Sequence, residues 1–432
     1  MEFNLLLKSF RSFSSETSIP IRPITVLVGD NSSGKSTILA ALKYISQWCD
    51  GSVDASFNSD PFFLGSFRDI AHYRGGKRGR DKSFMIGITV PPQRSIRGKS
   101  PIQLELEFSD LTELKPSKIS IRRENEAYDF SANSAKIVVD QETAEIPISG
   151  SVSQNAPPFD FFRQSMQSLS QSSFYLSIKE DFGSSREIAY RVRDKMIRSF
   201  RDVRQTCGRR VYASGAVRTE PHRSYDPTKS LSDAGPNTEI YRMASKIVSK
   251  TTEGDALLED LKSFGRTSGL FQDIEFRFLG KSSSDPFQIL VSTSGRKFNI
   301  LDVGYGVSQI LPVLYRLGEM NDTTLYLLQQ PEVHLHPSVQ VSLSQWVVER
   351  ISRLRNGCIA IETHSDFIVD PILRAIRSKR LRPNQVSLLW LKTNGGETQV
   401  FPIDLDESGI PVDPPIDFRQ FFIDELMRNI LE

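Results

Sequence analysis

The segment Gly29-Asp30-Asn31-Ser32-Ser33-Gly34-Lys35-Ser36-Thr37 constrains this chain more than any other. It meets the pattern Gly-x-x-x-x-Gly-Lys-Ser through Gly29, Gly34, Lys35 and Ser36, a pattern that works between a strand and a helix. Both flanks are legible. Ile21 to Val28 is dense in β-branched residues and runs straight into the loop. Lys35 to Trp48 carries Ile38, Leu39, Leu42 and Ile45 at helical spacing. In such a loop the backbone N–H groups converge on a β-phosphate, and Gly34 lets the backbone approach closely. Lys35 neutralises charge on the β- and γ-phosphates, the Ser36 hydroxyl ligates Mg2+, and the helix aims its positive end at the phosphates. The expected ligand is ATP with Mg2+, held by residues 29 to 37.

With 432 residues the chain can bury a large core, as one elaborated domain or two smaller ones. The net charge of +2 neither demands nor excludes nucleic acid, so only local basic clusters argue for it. Two stand out: Tyr73-Arg74-Gly75-Gly76-Lys77-Arg78-Gly79-Arg80, and Arg377, Lys379, Arg380 and Arg382. Either could track a phosphate backbone or be a solvated surface. Cys49, Cys207 and Cys358 are far apart and odd in number, which points away from disulfides and towards a reducing cytoplasm. No signal peptide and no run of about 18 apolar residues is seen, so no membrane partner is expected.

Beyond the first helix the pattern changes. Phe84–Val90, Ile102–Phe108, Lys118–Arg123 and Ile137–Asp140 read as short strands of an antiparallel sheet inserted after it. Ser149 to Ser173, rich in Ser and Gln and containing Pro157-Pro158, reads as a linker. Arg186 to Arg204 reads as an amphipathic helix with Ile188, Val192, Met196, Phe200 and Val203 inward. Residues 208–240 read as loop-rich. An arginine there (Arg209, Arg210, Arg218 or Arg223) could stabilise nucleotide charge or bind acidic neighbours, and the sequence does not choose. The C-terminal third alternates strands and helices again, giving an α/β fold.

Three segments complete the pattern. Thr324 to Leu328 is an apolar strand ending in Gln329-Gln330-Pro331-Glu332-Val333-His334-Leu335-His336-Pro337. Ala360-Ile361-Glu362-Thr363-His364-Ser365 is another strand end. Leu301 to Gln309 places Gly304 and Gly306 at the start of a helix. Both strand ends should open onto the crevice that the phosphate loop lines. His334 and His336 with Glu332 could be read as metal ligands, but without a third ligand of clear spacing packing beside the nucleotide fits them better than zinc.

In this order the segments resemble the ABC-type ATPases of the SMC, RecF and OLD (overcoming lysogenization defect) group. The phosphate loop is similar to that group's Gly-Pro-Asn-Gly-Ser-Gly-Lys-Ser, with Asp30 and Ser32 as departures. Gln330 to Pro337 resembles its Glu-Pro-Glu-x-His-Leu-His-Pro, and His364 its switch histidine. The resemblance implies a P-loop NTPase head of ABC type with an antiparallel β insertion and a helical subdomain. Residues 1–90 and 241–432 would form the head, and 91–240 the insertion. It implies heads that sandwich ATP between a phosphate loop and a partner's signature helix, hence a homodimer or higher oligomer. It also implies a role in DNA repair or anti-phage defence, with DNA or a separate effector such as a nuclease or toxin as partner. No acidic cluster of a TOPRIM nuclease domain is seen, and no heptad repeat of a long arm.

The departures fall on the chemistry. Gln329 stands where the group holds Mg2+ through an acid, and Gln330 where it holds the base that activates water. An amide is a poor base and brings no formal charge to a metal. Three readings remain: Glu332 supplies the carboxylate in a shifted geometry, ATP is hydrolysed slowly or not at all, or a substitution was introduced to trap the bound state. Gly304-Tyr305-Gly306 replaces Leu-Ser-Gly-Gly, with Ser308 as the candidate hydroxyl.

Overall fold

The computed structural model describes residues 2–52, 55–76, 79–92, 100–110, 114–131, 134–139, 142–147, 186–218, 220–226, 238–249, 251–280, 285–418 and 420. The expected linker, Lys77 and Arg78 of the basic loop, and the side chains of Ile188 and Val192 lie outside these. The first half carries β1 (Phe3–Lys8), β2 (Thr17–Ile21), β3 (Ile24–Gly29), α1 (Lys35–Asp50), β4 (Ser83–Val90), β5 (Ile102–Ser109), β6 (Pro116–Arg123), β7 (Glu126–Ser131), β8 (Ser134–Val139), β9 (Glu142–Pro147) and α2 (Arg186–Cys207). The second half carries β10 (Arg210–Ser214), α3 (Thr238–Val248), α4 (Thr252–Ser268), β11 (Asp273–Phe278), β12 (Phe287–Thr293), β13 (Arg296–Asn299), α5 (Tyr305–Glu319), β14 (Thr324–Gln329), α6 (Pro337–Arg353), β15 (Cys358–Glu362), α7 (Asp366–Arg377), β16 (Val386–Asn394) and β17 (Glu397–Leu405). No helix among the described residues is long and apolar enough to cross a membrane.

The chain divides into two compact units. The first comprises Met1–Arg22, Gly29–Val211 and Leu389–Pro402; the second comprises Pro23–Val28, Tyr212–Leu388 and Ile403–Glu432. The first is built on an eight-stranded sheet in the order β9-β8-β7-β6-β5-β4-β1-β2. The sheet is therefore not confined to the inserted segment. β1 pairs antiparallel with β4, Leu5 opposite Ile88, and β2 closes the edge, where Pro20 can omit its N–H. Along β5 buried and half-buried residues alternate, as a sheet covered on one face requires. The covered face meets α1 through an aromatic cluster: Tyr44 stacks on Phe57 at 4.1 Å, and Phe84 on Phe108 at 4.7 Å.

The stretch from Ile21 to Val28, read as one strand, is two. Arg22-Pro23 separates β2 from β3, and proline with its fixed φ and missing N–H suits a place where the chain leaves one sheet for another. In the second unit β14, β15 and β3 lie side by side, all parallel. β3 and β15 are buried along their whole length, which explains their near-continuous apolar sequence. The register sets Gln329 opposite Glu362 and Glu362 opposite Leu27. Three C-terminal strand ends are thereby level, and the chain runs from one of them directly into Gly29. Helices α3 and α4 occupy sequence that gave no helical expectation. Ile240, Met243, Ala244 and Ile247 form the buried stripe of α3, and Lys246 pairs with Glu319 of α5 at 2.7 Å.

Candidate nucleotide-binding site

The phosphate loop lies in the first unit. Gly29 has φ of 143°, and a Cβ there would stand 2.0 Å from the Leu391 carbonyl oxygen, so only glycine fits. Gly34 caps α1 at φ 92°, hemmed in by Thr398, Ser12 and Phe13. Thr398 Oγ1 donates to the Ser33 carbonyl at 3.0 Å and shares a hydrogen bond with Ser12 Oγ at 2.7 Å, fixing the loop from outside. Lys35 is buried, and its Nζ donates to the carbonyls of Gly29 at 2.9 Å and Asp30 at 2.6 Å. Its ammonium thus sits inside the curve of its own loop. No side chain caps α1 and no acidic residue sits in its first turn, so nothing there competes with an anion. Ser33 Oγ is buried without a hydrogen-bond partner among the described residues. Asp30, Asn31 and Ser32 are exposed, Ser36 is half-buried and Thr37 buried. Such a cradle, with a lysine at its centre and a helix start at its floor, fits a triphosphate.

The other predicted residues lie in the second unit. Gln329 ends β14. Gln330 follows at φ 42°, its N–H donating to the Glu362 carbonyl at 2.8 Å. Pro331 and Glu332 then turn back, with Leu335 N–H donating to the Glu332 carbonyl at 2.9 Å. Part of Glu332 reaches solvent, but its carboxylate does not. Oε1 accepts the His364 backbone N–H at 2.8 Å, and Oε2 is enclosed without a hydrogen-bond partner among the described residues. Burial raises the Glu332 pKa from its ordinary value, opposed first by that N–H and then by hydrogen bonding from its own backbone and the Thr363 side chain. Glu332 and His364 are therefore brought together, through backbone of one and side chain of the other.

Two histidines of the same turn have other partners. His336 caps α6, its Nδ1 accepting the Ser338 N–H at 3.3 Å, and exposed His334 meets the Tyr305 ring edge-on at 4.9 Å. Among the described residues no group of three or more His, Cys, Asp or Glu could hold a metal ion. At α5, Ser308 is buried and its hydroxyl donates to the Tyr305 carbonyl at 2.8 Å, inside its own helix. The exposed face of this helix start is Gly304 and Tyr305. Gly306 packs against the histidine turn, where a Cβ would stand 2.4 Å from the His334 carbonyl oxygen.

The arginines left open by sequence now separate. Arg209 donates to the Thr206 carbonyl at the end of α2, and Arg223 forms a two-pronged pair with Asp302. Arg218 reaches the strand ends: its Nη2 donates to the carbonyls of Gln329 at 3.3 Å and Gln330 at 2.9 Å. Sequence offered no way to choose it, because the choice depends on where the loop after β10 lands. Thr398 was missed outright, lying far along the chain with no motif around it. In the basic loop Arg74 pairs with Asp81, and Arg80 donates to the Ala71 carbonyl at 2.9 Å.

Two family models match. "AAA ATPase domain" matches residues 1–188, and "AAA domain, putative AbiEii toxin, Type IV TA system" matches residues 209–370. No curated protein matches the chain. Among solved structures, an SMC head bound to the C-winged helix domain of ScpA is 13% identical, with a TM-score of 0.47, over 94% of this chain and 98% of that one. The SMC head domain from Thermotoga maritima is 13% identical at a TM-score of 0.41, over 93% and 98%. An SMC head with an extended coiled coil, bound to the C-terminal domain of ScpA derived from Pyrococcus furiosus, is 11% identical at 0.42, over 99% and 100%.

Proposed function

We propose that this chain, which two AAA-family models match over residues 1–188 and 209–370, is an SMC/RecF-like ATPase of ABC type that binds ATP with Mg2+ at Gly29–Thr37 and hydrolyses it slowly, with Glu332 as the working carboxylate. The observation that carries this is the geometry of Glu332 at the strand ends: one carboxylate oxygen held by the His364 N–H, the other enclosed without a hydrogen-bond partner among the described residues, with burial raising its pKa. Gln330 cannot take that part. Its amide orients a water at most, and its backbone is committed to the turn.

Lys35 would hold the β- and γ-phosphates, and the backbone of Asp30 to Thr37 would cradle them. Ser36 and Gln329 are the proposed protein ligands of Mg2+. Both are neutral oxygens, suiting an ion that keeps several waters and binds substrate phosphates. The ion supplies charge neutralisation on the phosphates. His364, just past β15 and tied to Glu332, is proposed as the group that senses the γ-phosphate. Nucleotide binding would favour a homodimer, and the dimer would gate a separate effector, a nuclease or toxin, or DNA, in anti-phage defence. The neutral pair Gln329-Gln330 favours a second reading, a scaffold that binds ATP without turning it over.

Light scattering on the purified protein tests the dimer. With ATP, Glu332→Gln should shift to twice the monomer mass and stay there, while Lys35→Ala stays monomeric. A mass unchanged by ATP in every variant removes the clamp from the account.

A further inference from the structure

Arg218 has a place that neither the family models nor the proposed chemistry assigns. It is buried, on the loop after β10. Its backbone N–H donates to Gln309 Oε1 of α5 at 2.8 Å, and its Nη2 donates to the carbonyls of Gln329 and Gln330. Its Nε and Nη1 are buried without hydrogen-bond partners among the described residues; burial lowers its pKa, and the Glu332 carboxylate opposes this. A guanidinium with two unsatisfied nitrogens is costly to bury, so this arrangement needs a return in geometry. The return is visible at Gln330, whose left-handed backbone, unusual outside glycine, is held from one side by Glu362 and from the other by Arg218.

We propose that Arg218 is a positioning residue: it locks the Gln329-Gln330 turn, sets Glu332 in place, and ties that turn to the start of α5 through Gln309. Movement of α5 then reaches the Glu332 turn through Gln309 and Arg218. The catalytic half of this inference rests on the reading of Glu332 as the working carboxylate; the structural half does not.

The test combines two readouts on the full chain, with Arg218→Met, Arg218→Lys and Gln309→Leu. Hydrogen exchange without nucleotide reads the turn directly. Residues 329–336 should exchange faster in Arg218→Met, with Gln309→Leu adding less than its separate effect because both act on one link. Steady-state turnover should fall by about a hundredfold in Arg218→Met, as expected for a small misplacement of a reacting group, with the Kd for ATP unchanged and Arg218→Lys intermediate. A turn that exchanges as in the wild type, or a loss shared equally by ATP binding and turnover, overturns the proposal. If the wild type itself turns over no ATP, the hydrolysis reading fails alone, and the exchange of residues 329–336 still decides for or against Arg218.

Discussion

Alanine at Gly306 is the sharpest probe of how α5 meets the Glu332 turn. In an ordinary helix, replacing glycine by alanine is worth up to about 1 kcal/mol in favour of the alanine. Here the new Cβ would lie 2.4 Å from the His334 carbonyl oxygen. Carbon and carbonyl oxygen normally stop at about 3.3 Å, so helix and turn must separate by roughly 0.9 Å. The obstacle is backbone, which cannot swing aside, and overpacking of this kind costs about 1–3 kcal/mol. Gly306 sits in the first turn of α5, where the helical gain is smallest, so the net expectation is a loss of about 1–2 kcal/mol. The helix and its N-cap carry their own controls. A Cβ at Gly304 meets nothing within 4 Å, and one at Gly318 makes ordinary contacts at 3.5 Å. Urea unfolding should therefore rank Gly318→Ala at or above wild type, Gly304→Ala level with it, and Gly306→Ala below. Because His334 lies two residues past Glu332, Gly306→Ala should also slow turnover more than it weakens ATP binding. A Gly306→Ala protein as stable as Gly318→Ala would refute the close packing and the reasoning built on it.

Gly29→Ala would place a Cβ 2.0 Å from the Leu391 carbonyl oxygen at a φ of 143°; a loss of at least about 2 kcal/mol and of ATP binding is expected, by urea unfolding and calorimetric titration. Glu332 binds its proton more tightly folded than unfolded, its pKa being raised from 4.5. Its favourable contribution is therefore present below that value and lost as pH rises through the folded pKa. Glu332→Gln should then be more stable than the wild type at neutral pH, with the gap closing towards pH 4; a constant gap would contradict the burial argument. Lys43, buried against the Ser59 and Asp60 carbonyls, has its pKa lowered from 10.5 to about 8, mainly by burial. The unfolded chain holds that proton longer, so the wild type should gain stability relative to Lys43→Met as pH rises from about 8 towards 10. Unfolding curves at pH 7.5 and 9.5 read the sign.

The phosphate loop was legible because its chemistry is contiguous: the glycines, lysine and hydroxyl that a triphosphate needs stand within nine residues, between a β-branched run and a helical stripe. The ends of β14 and β15 were legible for a related reason, since a buried parallel strand writes an unbroken apolar run that stops where polar work begins. Long-range pairing left no such trace. Nothing in Phe3 to Lys8 says that it will lie beside Ser83 to Val90, so the antiparallel sheet looked like a self-contained insertion. Pro23 did mark the break between β2 and β3, and the spacing of Ile240, Met243, Ala244 and Ile247 did mark α3; both signals were present and lay under stronger ones. At Ser308, sequence offered a hydroxyl at a plausible position, but whether it points outward or back onto the Tyr305 carbonyl is settled by helix register. Arg218 was one arginine among four until the loop that carries it was placed.

The proposed chemistry has Glu332, rather than Gln329 or Gln330, supplying the carboxylate for a slow ATPase whose nucleotide is held by Lys35. Steady-state ATP hydrolysis with Mg2+, measured on wild type, Lys35→Ala and Glu332→Ala together with ATP affinity, tests it most directly. Slow turnover by the wild type, loss of turnover with ATP still bound in Glu332→Ala, and loss of binding in Lys35→Ala are expected. ATP bound tightly by the wild type with no turnover, or turnover untouched by Glu332→Ala, would contradict that chemistry.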